Sequence, residues 1–516
     1  MTETQHALPR DAAAATAVPS RSWAASRLTA VLPPALLLAT LVALRSFVAG
    51  HLDFESDEAY YWLWSRHLAI SYFDHPPMIA YLVRLGTFLF GDTIFGVRST
   101  AIAAMILASV LLYALAAILF ADRRIGLLSM LWFNMTPHTT FFSMIMYPDT
   151  LAILFWLLGC VGLALVWQSR RGEWWYLVGV ATGLLLLSKY TGVFLVFGIV
   201  AWLAASNEMR FWLKRREPYI AALIAAGLFS PVILWNAEHG WASFAKQFGR
   251  ALESSNDGGL VNMAAFVGVQ AAFVSPLIFA FAVAGVAVAG WRGWRRQEAN
   301  WLLLAVTAGP TLLYFLAHAF SAEVLAQWPS AVYSTAIVAA VAAFAAPANG
   351  PPRRALVRYG FEAAPWVGLL FTLTFLAQLT VRPIAVLAAH DPLSMFAGWA
   401  GLAAQTRDVA EARRAGYIAT SDYATDATLA FYLRDIPVFQ TSEAIRYLNL
   451  PPVDQALLVR TTGLYVAAPG LDDLTRLQRH FDSVALIATV WRHRDGDPIA
   501  PYHIYELKGY RGGVPF

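Results

Sequence analysis

Residues 54–90 read "FESDEAYYWLWSRHLAISYFDHPPMIAYLVRLGTFLF", and the threading of the chain turns on whether the apolar run 78–90 within them crosses a bilayer. As helix, "MIAYLVRLGTFLF" reaches only about 20 Å, against a hydrocarbon core of about 30 Å, and Arg84 sits in its middle. Ile79, Leu82, Val83, Gly86 and Phe90 recur at helical spacing, which predicts an amphipathic helix lying in the interface. Residues 50–94 then form one large loop on one face of the membrane, carrying Glu55, Asp57, Glu58, Asp74 and His75.

The composition makes the class plain. Of 516 residues 58% are hydrophobic and 14% charged, with a mean hydropathy of +0.54, and several apolar runs exceed the ~20 residues that span a bilayer. The fold expected is a polytopic α-helical membrane protein. Cys160 is the sole cysteine, so no intramolecular disulfide staples it. A net charge of +4 reflects topology in such a chain rather than a nucleic-acid partner. Residues 1–27, with Arg10, Arg21 and Arg27, read as a cytoplasmic tail before an uncleaved first helix.

The basic clusters Arg123-Arg124, Arg170-Arg171, Arg210 with Lys214-Arg215-Arg216, Arg292 with Arg295-Arg296, and Arg353-Arg354 with Arg358 all fall on the cytoplasmic side if the positive-inside rule holds. Parity then leaves room for one crossing, not two, between residues 50 and 122, and 95–120 takes it. The remaining spans are expected near 28–49, 125–146, 149–167, 174–188, 191–207, 218–235, 263–290, 300–319, 328–347 and 362–387, about eleven in all. The membrane domain covers 28–390. Residues 391–516 change character: "AGYIATSDYATDATLAFYLRDIPVFQ" and "ALLVRTTGLYVAAPGLDDLTRLQRHF" alternate strand and helix, so a small soluble α/β domain is expected on the outer, periplasmic side. It has no Gly-rich phosphate loop and no Cys/His metal spacing.

Three acids stand on the outer face under this threading. Ser56 can cap a helix starting at Asp57, placing Asp57, Tyr60, Tyr61 and Trp64 on one side. Asp74 and His75, before Pro76-Pro77, sit at a turn between interfacial helices. Asp149 opens a spanning helix in "MYPDTLAILFW". Capping explains each acid locally, whereas convergence on one cavity would mark a site. Arg98, Lys189, Lys246, Arg250 and His318 bring positive charge to the same face, suited to an anionic ligand or, for Arg98 and Lys246, to snorkelling.

"SDEAYYWLWSRHLAISYFDHPPM", "FGDTIFGVRS", "YPDT", "SKYTG" and "AEVLAQWPS" together resemble the bacterial branch of the GT-C glycosyltransferases. These are integral-membrane enzymes similar to the dolichyl-phosphate-mannose protein mannosyltransferases and the lipid A aminoarabinose transferases. The resemblance spans most of 28–390 and implies transfer of a sugar from a polyprenyl-phosphate-linked donor, with inversion, at the outer face of the cytoplasmic membrane. The acceptor would be lipid A, another envelope glycolipid or an exported protein. Asp57 matches the catalytic acid of the first outer loop, Glu58 completes its Asp-Glu pair, and Asp149 matches the acid of the next outer loop. Asp74 stands where the aminoarabinose transferases carry a glutamate associated with metal, and His75 replaces the lysine beside it, so a divalent cation on Asp74 and His75 is an open expectation.

The chemistry agrees. A carboxylate such as Asp57 can take the proton of an attacking hydroxyl, or position an acceptor phosphate that is already ionised. Lys189, Arg250, Arg98 and His75 are candidates for the donor phosphate. Tyr60, Tyr61, Glu323, Gln327 and Trp328 are candidates for acceptor or sugar contacts, the last three being equally readable as an ordinary loop with an interfacial Trp. No nucleotide is required. The competing reading is a transporter or flippase of a lipid-linked saccharide using the same charges as a path.

Overall fold

The computed structural model describes residues 21–252, 259–345, 354–384, 386, 388–472 and 474–513. Helices α1 (Arg21–His51), α2 (Ser56–Arg66), α3 (Met78–Phe90) and α4 (Ile94–Phe120) open the chain. α3 lies against α4, and Gly86 permits the approach: a Cβ there would sit 2.3 Å from the Gly96 carbonyl oxygen. Ile79, Val83 and Gly86 are buried as the spacing predicts, but Phe90 is 53% exposed, so the buried stripe stops a turn early.

The expected span 125–146 is two helices, α5 (Arg123–Asn134) and α6 (Pro137–Met144). Pro137 has no N–H to carry the helix on, and Thr136 caps α6 by accepting the Thr139 N–H. The buried Arg45 of α1 donates to the Asn134 carbonyl and, at 3.1 Å, to Asn134 Oδ1, so the broken end of α5 keeps a hydrogen-bond partner away from water.

α7 (Pro148–Ser169), α8 (Trp174–Ser188), α9 (Val193–Ala205), α10 (Glu217–Glu238) and α11 (Ala242–Leu252) follow. The second departure is the expected span 263–290, which is α12 (Gly259–Val274) and α13 (Pro276–Arg295), separated by Ser275 at φ 80° ahead of Pro276. α14 (Ala299–Ser321), α15 (Val332–Phe344) and α16 (Ala355–Thr380) complete the helical part.

Among the described residues seven helices are long and apolar enough to cross a membrane: Pro34–His51 of α1, α4, α7, α10, α13, α14 and α16. The apolar segments α3, α8, α12, α15 and Tyr190–Ala205 are shorter, so length alone does not deliver the expected eleven. Hydrogen bonds tie one end of the bundle together, Arg170 to Glu208, the Asn207 N–H to Gln297, and Asn300 to the Leu119 carbonyl. Basic clusters gather there, while α2 and the acids lie where α1 ends and α7 begins.

Beyond the bundle, α17 (Trp399–Arg413) and α18 (Tyr423–Tyr432) pack with a five-stranded sheet. Its strands are β1 (Tyr417–Thr420), β2 (Val438–Gln440), β3 (Gly463–Ala467), β4 (Phe481–Arg494) and β5 (Asp497–Tyr510), in the order β2-β1-β3-β5-β4. β1 runs parallel to β2 and β3, and the β4–β5 hairpin adds antiparallel strands. The alternation read from sequence covers β1, α18 and β3. The hairpin was not read, although Asp495-Gly496, both at positive φ, is its turn signal. This domain sits on α2: Phe431 meets Phe54 and Trp62 edge-on at 4.4 and 5.0 Å, and Asp53 accepts the Trp399 N–H and Tyr432 O–H at 3.0 and 3.1 Å.

At Gly285 a Cβ would lie 2.4 Å from the Ala340 nitrogen of α15, whereas Gly227 faces open space. Gly285→Val is expected to destabilise the bundle by about 1–3 kcal/mol through overpacking, with Gly227→Ala near neutral, measured as melting of the purified proteins in one detergent. Equal melting of the two variants would contradict the helix contact.

Candidate functional site

α2 begins one residue before its expected start, and its cap is Glu55 rather than Ser56. The Glu55 carboxylate accepts the Asp57 N–H at 2.8 Å, and Glu58 reaches back to the Glu55 N–H at 3.3 Å, a reciprocal capping box. Asp57 is therefore not the cap. Tyr60, Tyr61 and Trp64 are buried on the expected face, and Trp64 stacks on Tyr72 at 4.1 Å.

The Asp-Glu pair divides its labour. Glu58 has no solvent exposure and binds Arg98, whose Nε lies 2.9 Å from its Oε1, while Glu58 also accepts the Met146 N–H at 3.0 Å. Arg98 spends its remaining donors on the carbonyls of Ala49, Leu52 and Asp53. Neither group faces solvent, so the expectation of Arg98 as a phosphate ligand and Glu58 as a reacting carboxylate is corrected to a closed structural pair. The Asp57 side chain is half-buried, and the Tyr423 hydroxyl of α18 donates to its Oδ1 at 3.0 Å. Burial pushes the Asp57 carboxyl up, assisted by Asp74 and opposed by the Tyr423 hydrogen bond, Arg446 and Lys246. Glu55, buried beside Asp57, is pushed up to about 8, although the Tyr147 hydroxyl at 2.9 Å favours its charged form.

Asp74 lies nearby in a cage of donors. Lys246 of α11 and Arg446, which follows β2, bind its two oxygens, and the Tyr60 hydroxyl donates to Oδ2 at 3.1 Å. Burial alone would raise this carboxyl, but Lys246 and Arg446 outweigh it and hold it below its ordinary range. Asp74 is thus no simple Asx cap. These residues do not fit a divalent cation: both Asp74 oxygens already face cations, and among the described residues no three His, Cys, Asp or Glu side chains are arranged so that they could hold a metal ion. His75 stands edge-on to Tyr61 at 6.1 Å.

Asp149 is paired with Lys189 in a buried contact, two residues from Tyr147, so this acid and base serve each other. The side chain of Arg250 lies outside the described residues. Glu323 is exposed in the α14–α15 loop, with Gln327 and Trp328 half-buried, and Trp328 stacks on His318 at 6.2 Å. Sequence reasoning singled out Glu55 without giving it a role, and it missed Tyr147, Tyr423 and Arg446. A general signal existed for the last two: they follow the carboxyl ends of adjacent parallel strands β1 and β2, where open α/β sheets present functional loops.

One end of the bundle thus bears a pinned Asp57 carboxylate, an Asp74 carboxylate caged by Lys246 and Arg446, and a docked α/β domain, and the comparisons show similarity to membrane glycosyltransferases of the kind the sequence resembles. Residues 74–235 match the family described as dolichyl-phosphate-mannose-protein mannosyltransferase. The chain is 27% identical over 308 residues to the lipid A galacturonosyltransferase RgtD of Rhizobium johnstonii, covering 56% of this chain and 60% of that protein. It is 32% identical over 157 residues to the undecaprenyl phosphate-alpha-4-amino-4-deoxy-L-arabinose arabinosyl transferase of Pseudomonas aeruginosa, 28% of this chain and 25% of that one. The chain therefore matches three fifths of the first relative and a quarter of the second. ArnT from Cupriavidus metallidurans has the same fold: its apo structure aligns with a TM-score of 0.64 at 14% identity over 92% of this chain and 98% of ArnT. Its undecaprenyl phosphate-bound structure aligns at 0.62 and 15%, over 94% and 100%.

Arg98→Met would strand the Glu58 charge and is expected to cost about 3–5 kcal/mol. Arg98→Met with Glu58→Gln should recover a large part of that loss. Thermal melting of the wild type, both single variants and the double variant checks this, and additive losses would rule out a coupled pair.

Proposed function

We propose that the chain is a glycosyltransferase of the cytoplasmic membrane. It takes a sugar from a polyprenyl-phosphate-linked donor and attaches it, with inversion, to lipid A or a related envelope glycolipid on the periplasmic face. The observation that carries this reading is the Asp57 carboxylate, half-buried at the bundle end and beside the Lys246–Asp74–Arg446 cage. Its supports are the family match, the lipid A transferases among the relatives and the ArnT fold. The charge distribution supports this orientation, since the end opposite the acids carries Arg123, Arg170, Arg215 and Arg292.

A donor phosphodiester becomes more negative as the glycosidic C–O bond breaks. Lys246 and Arg446, held in place by Asp74, supply positive charge at the moment it is needed without reorganising. On the acceptor side, Asp57 takes the proton of an attacking hydroxyl, or orients an acceptor phosphate whose oxygen is already ionised. A carboxyl raised by burial is the better proton acceptor, provided the pH exceeds its pKa. No step is routed through a metal ion, for which Asp74 and His75 do not fit.

Asp57→Asn is expected to remain folded and inserted while losing transfer by at least about a hundredfold. Mass spectrometry of envelope glycolipids from cells lacking the gene, complemented with wild type or variant at equal membrane abundance, reads the outcome. Full restoration of a product mass by the variant would remove Asp57 from the chemistry.

A further inference from the structure

The sheet domain does more than cover the bundle. Two segments that follow adjacent parallel strands, the start of α18 after β1 and the loop after β2, reach Asp57 and Asp74 of the first outer loop. From the end of β1, Tyr423 donates to Asp57 Oδ1 at 3.0 Å, and from the end of β2, Arg446 binds Asp74. The two segments are tied to each other: the Glu443 carboxylate accepts the Tyr423 N–H at 3.1 Å and the Arg446 Nε–H at 2.8 Å. The Arg446 guanidinium lies 4.2 Å over the Tyr423 ring, which packs 5.1 Å from the Tyr60 ring.

We infer that the C-terminal domain is part of the catalytic apparatus, with Tyr423 the positioning residue that orients the Asp57 carboxylate. This rests on the transferase reading and deepens it. One Asp57 oxygen is occupied by the phenol, which turns the other toward the acceptor. The backbone contact at Asp57 N–H comes from Glu55 and does not set the side chain's rotation, so the phenol is the group that does. Tyr423 reaches neither donor nor acceptor in this role; it acts through Asp57.

The groups facing Asp57 are Glu55, the cap of α2, Tyr61 of α2, Tyr147 ahead of α7, Asp74, Lys246 of α11, and Tyr423 and Arg446 of the sheet domain. Removing the phenol O–H takes away a hydrogen bond to the charged carboxylate and leaves the acidic neighbours in place. The carboxyl then rises further, and because the ionised form is the active one, the acidic limb of the rate profile moves to higher pH.

The test is Tyr423→Phe in the full chain, which keeps the ring and its packing. Tyr432→Phe is the control: it deletes a hydroxyl bound to Asp53 in the same interface, away from Asp57. Membranes containing wild type or either variant, with their endogenous lipid-linked donors and lipid A, are incubated from about pH 5 to 9, and product is read by mass spectrometry per folded molecule. Tyr423→Phe is expected to lose about tenfold at neutral pH, with its acidic limb displaced upward by about one pH unit, the size of one charge-assisted hydrogen bond. Tyr432→Phe should follow the wild-type profile. An active wild type matched by Tyr423→Phe in rate and profile overturns the inference alone, as does an equal displacement in Tyr432→Phe. A wild type that forms no product overturns the transferase reading with it.

Discussion

The Glu58–Arg98 pair is the contact on which the site depends. It has no access to water, and it joins four pieces of chain: Arg98 from α4, the carbonyls ending α1, the first turn of α2, and the Met146 N–H between α6 and α7. A charge pair buried this deeply holds only when its other lone pairs and protons are satisfied, and here carbonyls and amides satisfy them. The consequence is a fixed start for α2. Asp57, one residue before Glu58, is thereby presented at the bundle end rather than absorbed into its own helix cap.

The same economy governs the broken helices. A helix interrupted within a bilayer leaves backbone groups that lipid cannot hydrogen-bond, so each break needs a protein partner. At the α5–α6 break Arg45 and Thr136 provide it, and at the α6–α7 junction Glu58 and Tyr147 connect the freed backbone to the acid cluster. The interruptions thus bring polar chain to the end of the bundle where Asp57 and Asp74 lie. The acids Asp57 and Asp74 and the cations around Asp74 gather at that end, in contrast to the midplane placement expected of a translocation path.

The sheet domain supplies what the bundle lacks. Asp74 draws Lys246 from α11 and Arg446 from beyond β2, while Asp57 draws Tyr423 from α18. Contacts across 366 and 372 residues of chain therefore shape the surroundings of two carboxylates that lie seventeen positions apart. The aromatic floor of Phe54, Trp62 and Phe431 holds the domains in register by burying apolar rings against one another.

Membrane class, the short helix over 78–90, the C-terminal α/β domain and a helix carrying Asp57 were legible in the residues, because each depends on local quantities: run length, helical periodicity and strand alternation. Periodicity put Tyr60, Tyr61 and Trp64 on one face, and the docked sheet domain and neighbouring helices bury them together with Ala59 and Trp62. The pairing of charges was not legible, because Coulomb partners are chosen by proximity in space. Asp149 closes on Lys189 and Glu58 on Arg98, while Asp74 gathers Lys246 and Arg446 beside Asp57, so acids and bases that look equally available in sequence divide into buried structural pairs and a cluster at the candidate site. The continuity of two helices likewise escaped local reading, since a Pro bends, ends or is tolerated in a membrane helix according to whether neighbouring side chains such as Arg45 can satisfy the freed carbonyl.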